Sequence, residues 1–328
     1  MGDNSTTHSN QNSMPFWRQN GLRYYPLGAY LKNQFGCSVR KISVDAHFSC
    51  PNIDGTVSRG GCIFCDAKSF SPGRRSGLAS VSEQIAFGQK QLAQRQQVSA
   101  FIAYFQPSTN THGALDYLES VYREAMTQPN IVGLAIGTRC DALSEPVLDL
   151  LERLSQETWI IIEIGLQTTK NETLRFLNRG HDVETFDDCI ARAKKHHLRL
   201  GTHVILGLPN ETRDDMLETA RRVAAWHFES VKLHHLYVVR NTPLEILWQQ
   251  GEVQTLSVEQ YTELAADFIE QLPPDMVIDR VSGEMSEEYL LAPAWTSQKH
   301  VARNALNTVL TRRDSWQGKY YTANNPTQ

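Results

Sequence analysis

From residue 38 onward, the sequence alternates short runs rich in β-branched and aromatic residues with amphipathic segments of helical length. Strands are predicted over residues 39–46, 100–105, 131–137, 159–166, 199–206 and 230–238. Helices are predicted between them, over residues 81–95, 114–127, 145–155, 171–196 (in two parts) and 212–228. Strands separated by helices indicate parallel βαβ crossovers, so six such units predict an α/β fold, a partial TIM-type (β/α)6 barrel. A doubly wound sheet is the alternative, although no glycine-rich phosphate fingerprint follows the first strand.

The two ends of the chain differ from this regular middle. The first fourteen residues are polar and poor in bulky apolar groups, and we predict a disordered tail over residues 1–20. We assign residues 21–283 to the barrel and residues 284–328 to a C-terminal extension that covers the barrel rim. The chain starts without the basic and apolar regions of a secretory signal, and it has no apolar run of the roughly 18–20 residues that a membrane helix needs. We therefore predict a cytoplasmic protein with no membrane partner.

In a barrel of this kind, reactive groups lie at the carboxyl ends of the strands and on the loops that follow. Cysteine, glycine and polar residues stand at these positions: Cys50, Cys62, Cys65, Gln106, Thr109, Asn110, Arg139, Gln167, Gly207, Pro209, Tyr237 and Arg240. Glu163 and Gln167 share one face of the fourth strand. Glu163 is either a paired structural acid or, with Gln167, part of a polar lumen that holds a ligand.

Three of the six cysteines are clustered, at positions 50, 62 and 65. Two cysteines separated by two residues can turn both thiolates toward one metal, and the third can fold back from a glycine-containing loop. This spacing fits structural zinc with His47 as the fourth ligand, a [4Fe-4S] cluster with one open iron, or a redox-active thiol pair, and it does not decide among them. Cys37, Cys140 and Cys189 have no such spacing, and we predict that each is an unligated, buried thiol.

The same segment resembles the signature of radical S-adenosylmethionine (radical SAM) enzymes, in which an aromatic residue commonly precedes the last cysteine, as Phe64 does. Eleven residues separate the first two cysteines instead of the common three, which is similar to the YhcC/YtqA-type branch. That branch is close to the Elongator catalytic subunit and to oxygen-independent coproporphyrinogen oxidase. Further motifs that resemble the branch stand at residues 41–45, 50–55, 137–139, 163–167, 178–181, 206–209 and 317–318.

The resemblance implies that Cys50, Cys62 and Cys65 ligate a [4Fe-4S] cluster and that S-adenosylmethionine (SAM) binds its open iron. The cofactor-binding residues that it implies are Phe64, Gln106, Asn110, Arg139, Glu163, Gln167, Gly207 and Pro209. Phe64 is expected beside the adenine. Residues 106–110 replace the Gly-Gly-Glu segment that many family members use to meet the SAM amino group, so Gln106, Thr109 or Asn110 is expected to take that role.

The implied reaction is reductive cleavage of SAM to a 5′-deoxyadenosyl radical, which abstracts hydrogen from an unidentified substrate. Such a reaction needs an external low-potential electron donor, which we expect to be a flavodoxin or a ferredoxin. Two alternatives remain open. One is a zinc-stabilised RNA-binding module without redox chemistry, and the other is radical methyl transfer, for which Cys140 is the only further cysteine at the rim.

Two groups of residues bear on the substrate. A wall of donors suits an anionic or carbonyl-bearing molecule: Arg139, His203, His235, Tyr237 and Arg240. Residues 299–321 carry five basic side chains against one acidic side chain, and they form either a solvated surface or a phosphate-contacting patch with Trp316 and Tyr320 available for stacking. Similarity to the Elongator catalytic subunit suggests a tRNA wobble uridine or its precursor, and a small metabolite or a peptide is the alternative.

Overall fold

The computed structural model describes residues 14–66, 69, 77–78, 80–93 and 98–322. Its strands are β1 (Val39–Val44), β2 (Ala100–Phe105), β3 (Ile131–Thr138), β4 (Trp159–Gln167), β5 (Arg199–Leu206), β6 (Ser230–His235), β7 (Val238–Val239), β8 (Val277–Arg280) and β9 (Leu290–Ala292). Seven of them form one parallel sheet in the order β1-β2-β3-β4-β5-β6-β8. This sheet curls through 223°, so the predicted partial barrel is confirmed and the doubly wound alternative is wrong.

Most of the helices connect the strands and pack against the outside of the sheet. They are α1 (Phe16–Gln19), α2 (Leu27–Phe35), α3 (Val81–Ala93), α4 (Leu115–Met126), α5 (Glu145–Ser155), α6 (Asn171–Phe176), α7 (Val183–Lys195), α8 (Arg213–Ala225), α9 (Pro243–Gln249), α10 (Val258–Glu270) and α11 (Val301–Arg312). The predicted apolar face of α4 is buried through Leu118, Val121, Tyr122 and Ala125. None of the helices in the described part of the chain has the length and apolar character needed to cross a bilayer.

The parallel sheet contains one strand, β8, beyond the six that were predicted. Strand β8 is only four residues long and follows Pro273 and Pro274, so it offers too short a pattern to recognise from sequence. The sixth strand, predicted over residues 230–238, ends earlier than expected. Strand β6 stops at His235, and Val238–Val239 instead pair antiparallel with β9 in a separate two-stranded sheet.

The predicted N-terminal tail is ordered where the structure describes it. Residues 1–13 lie outside the described residues, but residues 16–19 form helix α1, so the prediction of disorder is wrong for that segment. Its Trp17 is 1% exposed and donates a hydrogen bond from Nε1 to the Pro274 carbonyl at 2.9 Å. Burial of this indole gives the short helix the apolar contact that isolated helices of its length lack.

The C-terminal extension has two parts that lie at opposite ends of the barrel. Thr296 meets His235 at the carboxyl end of β6, with 2.7 Å between the threonine hydroxyl and the imidazole Nε2. Gln317 instead binds the amino end of β8, where its amide nitrogen donates to the carbonyl oxygens of Pro273 and Met276. Only the first part of the extension therefore lies near the rim, and the prediction of a rim cover does not hold for the second part.

Candidate active site

The carboxyl ends of the strands and the loop after β1 enclose a cavity of about 220 Å3. Eight predicted site residues line it: Cys50, Cys62, Phe64, Cys65, Gln106, Arg139, Glu163 and Gln167. The other three, Asn110, Gly207 and Pro209, are not among its lining residues. The strand ends thus bring together most of the polar groups that the sequence placed on one rim.

Asn110 and Gly207 shape the loops around the cavity instead of lining it. The Asn110 side-chain nitrogen lies 2.9 Å from the Gly137 carbonyl and 3.0 Å from that of Phe105, which ties the end of β2 to the end of β3. Gly207 has φ +80°, a conformation that favours glycine, and an added Cβ would lie 2.6 Å from Leu256. Both residues are needed for backbone geometry, which explains their presence at the rim without a ligand contact.

The cysteine loop is held to the turn that follows α6 by a reciprocal pair of asparagines. The Asn52 side chain donates to the backbone carbonyl of Asn178 at 2.6 Å, and the Asn178 side chain donates to the backbone carbonyl of Gly61 at 2.7 Å. Two segments that are more than 110 residues apart are thereby fixed together. The loop that carries the three cysteines is consequently positioned by side-chain hydrogen bonds rather than by regular secondary structure.

Arg179, from the same turn, reaches the sulfur of a predicted cluster ligand. Its Nη1 lies 3.1 Å from Cys62 Sγ, and its Nη2 donates to the Gly165 carbonyl at 2.7 Å. The backbone of Arg179 is held in turn by Arg139, whose Nη2 donates to the Arg179 carbonyl at 2.5 Å. Arg139 also forms a two-bond contact with Asp141, at 2.9 and 2.6 Å. The sequence offered the motif at residues 178–181 but no reason to place this guanidinium on a thiolate.

The three clustered thiols form a donor set that suits a metal cluster. Cys65 is exposed as a whole residue, but protein atoms surround its thiol. This burial, with the neighbouring thiols of Cys62 and Cys50, raises the pKa of the Cys65 thiol to about 12. A metal bound at this thiol would compensate the negative charge of its thiolate.

The spacing of the sulfurs does not match the compact ligand set of a single zinc ion. A tetrahedral zinc with Zn–S bonds of about 2.3 Å brings its ligand atoms within about 3.8 Å of one another. Among the described residues, Cys50, Cys62 and Cys65 do not form a group with all ligand atoms within 4.8 Å, either alone or with His47. His47 is exposed and does not line the cavity. The donor set therefore fits an iron–sulfur cluster, whose metal atoms are spread over a larger core.

Four buried polar atoms of cavity-lining residues lack a partner within the described residues, namely Thr109 Oγ1, Arg139 Nη1, Arg179 Nε and His235 Nδ1. Leaving a buried donor or acceptor unsatisfied costs about 1–3 kcal/mol. A ligand with polar groups would remove this cost. Thr109 lies on the loop after β2, where the resemblance expects contacts to the SAM amino group.

A network of charged side chains crosses the lumen below the cavity. Glu163 on β4 accepts from Lys41 of β1 at 2.6 Å, from Lys232 of β6 at 2.5 Å and from His203 of β5 at 2.8 Å. Lys232 also donates to the Tyr104 hydroxyl at 2.9 Å. Burial alone would raise the pKa of Glu163, but the ammonium groups of Lys232 and Lys41 hold it well below its usual range. Glu163 is therefore a paired structural acid that also lines the cavity.

Four of the five residues of the predicted wall of donors line the cavity. Arg139, His203, His235 and Tyr237 line the cavity, whereas Arg240 is exposed and does not. His235 is 1% exposed, and burial lowers its pKa to about 3, so it is neutral at physiological pH. Four further lining residues with nitrogen donors were not among the predicted site residues: Arg179, Lys232, His234 and Arg280. Arg280 was missed because its strand was missed.

The basic C-terminal segment makes contacts within the protein. The Arg18 guanidinium lies 3.5 Å from the centre of the Trp316 ring, and the Lys319 ammonium lies 5.3 Å from it. Arg313 binds Asp267 at 2.8 Å, and Arg312 binds Glu263. The expectation that Trp316 is available for stacking is therefore wrong, although Tyr320 is 55% exposed. Solvated surface with internal ion pairs is the interpretation that holds for this segment.

The remaining three cysteines are free thiols. Cys140 and Cys189 are buried as predicted, whereas Cys37 is half-buried. Burial raises the pKa of the Cys189 thiol to about 12, so this thiol is protonated and unreactive at neutral pH. Cys140 is 1% exposed and does not line the cavity, so the structure gives no support to a methyl-transfer role for it.

Comparison with known proteins identifies the family. Residues 55–223 match the model of the radical SAM superfamily, and residues 228–312 match that of the Radical_SAM C-terminal domain. The chain belongs to the radical SAM superfamily. This radical SAM protein is an enzyme, as the superfamily match implies, and its substrate is not identified by the match.

Two of the proteins with similar sequences match most of the length of this radical SAM enzyme. The chain is 35% identical over 302 residues to the uncharacterized protein YtqA of Bacillus subtilis, spanning 91% of this chain and 93% of that protein. It is 37% identical over 274 residues to the protein YhcC of Escherichia coli K12, spanning 83% and 87%. Elongator complex protein 3 of Mus musculus is 28% identical over 182 residues, which are 54% of this chain but 31% of that protein.

The fold of this radical SAM enzyme also matches a solved structure. The archaeal Methanocaldococcus infernus Elp3 with an N-terminal deletion superposes with a TM-score of 0.63 at 16% identity. The match covers 85% of this chain and 64% of that chain. Since the identity is low, this likeness supports the curled parallel sheet and nothing about the reaction.

Proposed function

We propose that Cys50, Cys62 and Cys65 hold a [4Fe-4S] cluster and that SAM binds beside it in the cavity. The observation that carries this proposal is the joint placement, on one cavity wall, of the three thiols and of four polar atoms that lack a partner within the described residues. When bound, the cluster and SAM supply a reductively generated 5′-deoxyadenosyl radical that takes hydrogen from the substrate.

Residues of the chain orient SAM and exclude water. Phe64 presents an aromatic face for the adenine, and Ile205 and Leu236 add apolar surface to the same cavity. Gln106, Thr109 and Gln167 offer polar contacts to the amino acid and ribose parts of SAM. A partly apolar, narrow cavity protects a reactive intermediate from solvent, which this chemistry requires.

A tRNA wobble uridine or its precursor is the substrate that we propose. Support comes from the relationship to Elongator complex protein 3, which is limited to about half of this chain. The basic C-terminal segment no longer supports RNA binding, because several of its cations are paired internally. A small metabolite or a peptide is the competing substrate class. We further propose that a flavodoxin or a ferredoxin delivers the electron and that the reaction takes place in the cytoplasm.

Anaerobic reconstitution tests the chemistry. Protein loaded with iron and sulfide, reduced with dithionite and supplied with SAM is expected to release 5′-deoxyadenosine and methionine. The Cys62→Ser variant is expected to bind little iron and to give no 5′-deoxyadenosine. An intact wild-type cluster that cleaves no SAM contradicts the proposal.

Nucleoside mass spectrometry tests the substrate. Total tRNA from cells with and without this gene is digested and compared, with a Cys62→Ser allele as the control for loss of chemistry. We expect one wobble-uridine derivative to disappear, and its precursor to accumulate, in both the deletion and the allele. Identical nucleoside profiles exclude tRNA and favour a metabolite or peptide.

A further inference from the structure

A β-bulge in strand β8 turns two neighbouring charged residues into the barrel. Adjacent residues of a regular strand face opposite sides of the sheet. Here the pairing with β6 joins Val231 to Ile278 and then Lys232 to Arg280, so Asp279 is skipped. Asp279 contacts the Lys41 ammonium inside the lumen, and Arg280 lines the cavity. Bulges near active sites commonly re-aim a side chain in this way.

The charges of the lumen are balanced without Arg280. The ammonium groups of Lys41 and Lys232 face the carboxylates of Glu163 and Asp279, giving two positive and two negative groups in direct contact. Arg280 stands next to this set, and no carboxylate or hydrogen-bond acceptor contacts its guanidinium within the described residues. A half-buried cation without a counter-charge is costly, and a bound anion removes that cost.

The neighbours of Arg280 leave its charge uncompensated. Burial, followed by the Arg280 charge itself, holds the pKa of His234 well below its usual range, so this imidazole is neutral. Burial raises the pKa of Tyr237, so its phenol keeps its proton. Both side chains line the same cavity as Arg280. Among the described residues, the wall around the guanidinium therefore offers these neutral polar groups, and the nearby carboxylates of Glu163 and Asp279 are already paired with lysines.

We propose that Arg280, with His234 and Tyr237 beside it, forms a subsite for an anionic group, a carboxylate or a phosphate, of the molecule on which the enzyme acts. This inference rests on the proposed function, because it assigns the substrate to the same cavity. A guanidinium binds either anion through two parallel hydrogen bonds, which fixes orientation as well as position. Arg280 is a specificity-determining residue in this account, and it takes no part in the radical chemistry.

Calorimetry on the reconstituted, SAM-bound holoenzyme tests the subsite. The probes are uridine 5′-monophosphate with uridine as its neutral counterpart, and inorganic phosphate and acetate as minimal anions. We expect an anionic probe to bind at least tenfold more weakly to Arg280→Gln than to wild type, and Arg280→Lys to keep part of the affinity. Arg240→Gln removes an exposed arginine of the same region and is expected to change nothing.

Two outcomes overturn the subsite. One is that no anionic probe depends on Arg280, whether because none binds the wild type or because all bind the variant equally. The other is that Arg280→Gln weakens the binding of SAM itself as much as that of the probes, since SAM also carries a carboxylate. Release of 5′-deoxyadenosine is measured on the same samples. Its absence from wild type refutes the proposed function, whereas the probe affinities report on Arg280 alone.

Discussion

Arg179 Nη1 lies 3.1 Å from Cys62 Sγ, and Arg179 as a whole residue is 5% exposed. A hydrogen bond and a positive charge on a ligating sulfur stabilise the more negative, reduced form of an iron–sulfur cluster. The position of Arg179 is fixed from both sides, by Gly165 and by Arg139. The contact is therefore built into the fold.

Replacing Arg179 with Met is expected to make the midpoint potential of the reconstituted cluster more negative, because the reduced form loses a stabilising contact. Each tenfold weakening of that stabilisation lowers the potential by about 60 mV. Arg179→Lys keeps the charge and is expected to fall between wild type and Arg179→Met. A redox titration followed by electron paramagnetic resonance gives these potentials, with the exposed Arg175→Gln as control. Variants that bind less iron but keep the wild-type potential would show that Arg179 only positions the loop.

Substitution of single cysteines separates the cluster from zinc. Cys50→Ser, Cys62→Ser and Cys65→Ser are expected to lose most of their iron after anaerobic reconstitution, because each removes one of the three proposed protein ligands. Cys37→Ser serves as the matched control and is expected to keep wild-type iron. Iron and zinc are measured by metal analysis. His47→Ala is expected to leave the iron content unchanged, and a zinc-loaded protein that depends on His47 would refute the cluster.

The lumen network makes Glu163 important for stability. Glu163→Gln keeps the shape of the side chain but leaves the ammonium groups of Lys41 and Lys232 short of one counter-charge. Loss of one partner from a buried ion pair typically costs about 3–5 kcal/mol, and we expect a decrease of this size in the free energy of unfolding. Urea denaturation gives the value. The control Glu157→Gln removes an exposed partner of Arg123 and is expected to have little effect.

Buried His235 makes the protein less stable in mild acid. Its pKa falls from 6.5 to about 3 in the folded state, so below pH 6.5 the unfolded chain takes up a proton that the native state refuses. The contribution of neutral His235 to the free energy of unfolding is complete above pH 6.5. It is lost as the pH falls toward 3, by up to about 1.4 kcal/mol per pH unit.

Denaturation of His235→Gln at several pH values measures this contribution. The variant can still hydrogen-bond Thr296, and its free energy of unfolding is expected to vary less steeply between pH 6.5 and 3 than that of wild type. His227→Asn replaces an exposed histidine and is expected to keep the wild-type slope. Equal slopes for wild type and His235→Gln would contradict the assignment.

The sequence predicts the barrel well because its signals are local. Helix α4 buries the apolar face that its periodicity indicates, and strand β4 carries Glu163 into the lumen as alternation requires. The cysteine spacing likewise places three thiols on one loop. The same kind of local reasoning fails at β8, whose four residues carry too little pattern.

Contacts between distant segments could not be predicted from local patterns. Arg179 reaches Cys62 across 117 residues, and Arg280 enters the cavity only because Asp279 is skipped in the strand pairing. At Trp316 the composition of the surrounding segment predicted a ring that is free to stack on a ligand. In the fold, the Arg18 guanidinium lies over that ring. In each case the deciding partner comes from a different part of the chain.

The parallel sheet ends at two edge strands, β1 and β8, and no backbone ladder joins them. The Lys41 contact to Asp279 spans this seam inside the lumen, α2 contacts both strands, and the Tyr25 carbonyl accepts a hydrogen bond from the Ile278 amide at the edge of β8. A ladder would fix the spacing of the strands at about 4.8 Å. Side-chain and helix contacts do not fix the distance between the two strands in this way. The diameter of the barrel at this seam is therefore set by side-chain and helix contacts. Substitutions at the seam can widen or narrow the lumen for a different ligand without breaking a backbone hydrogen bond of the sheet.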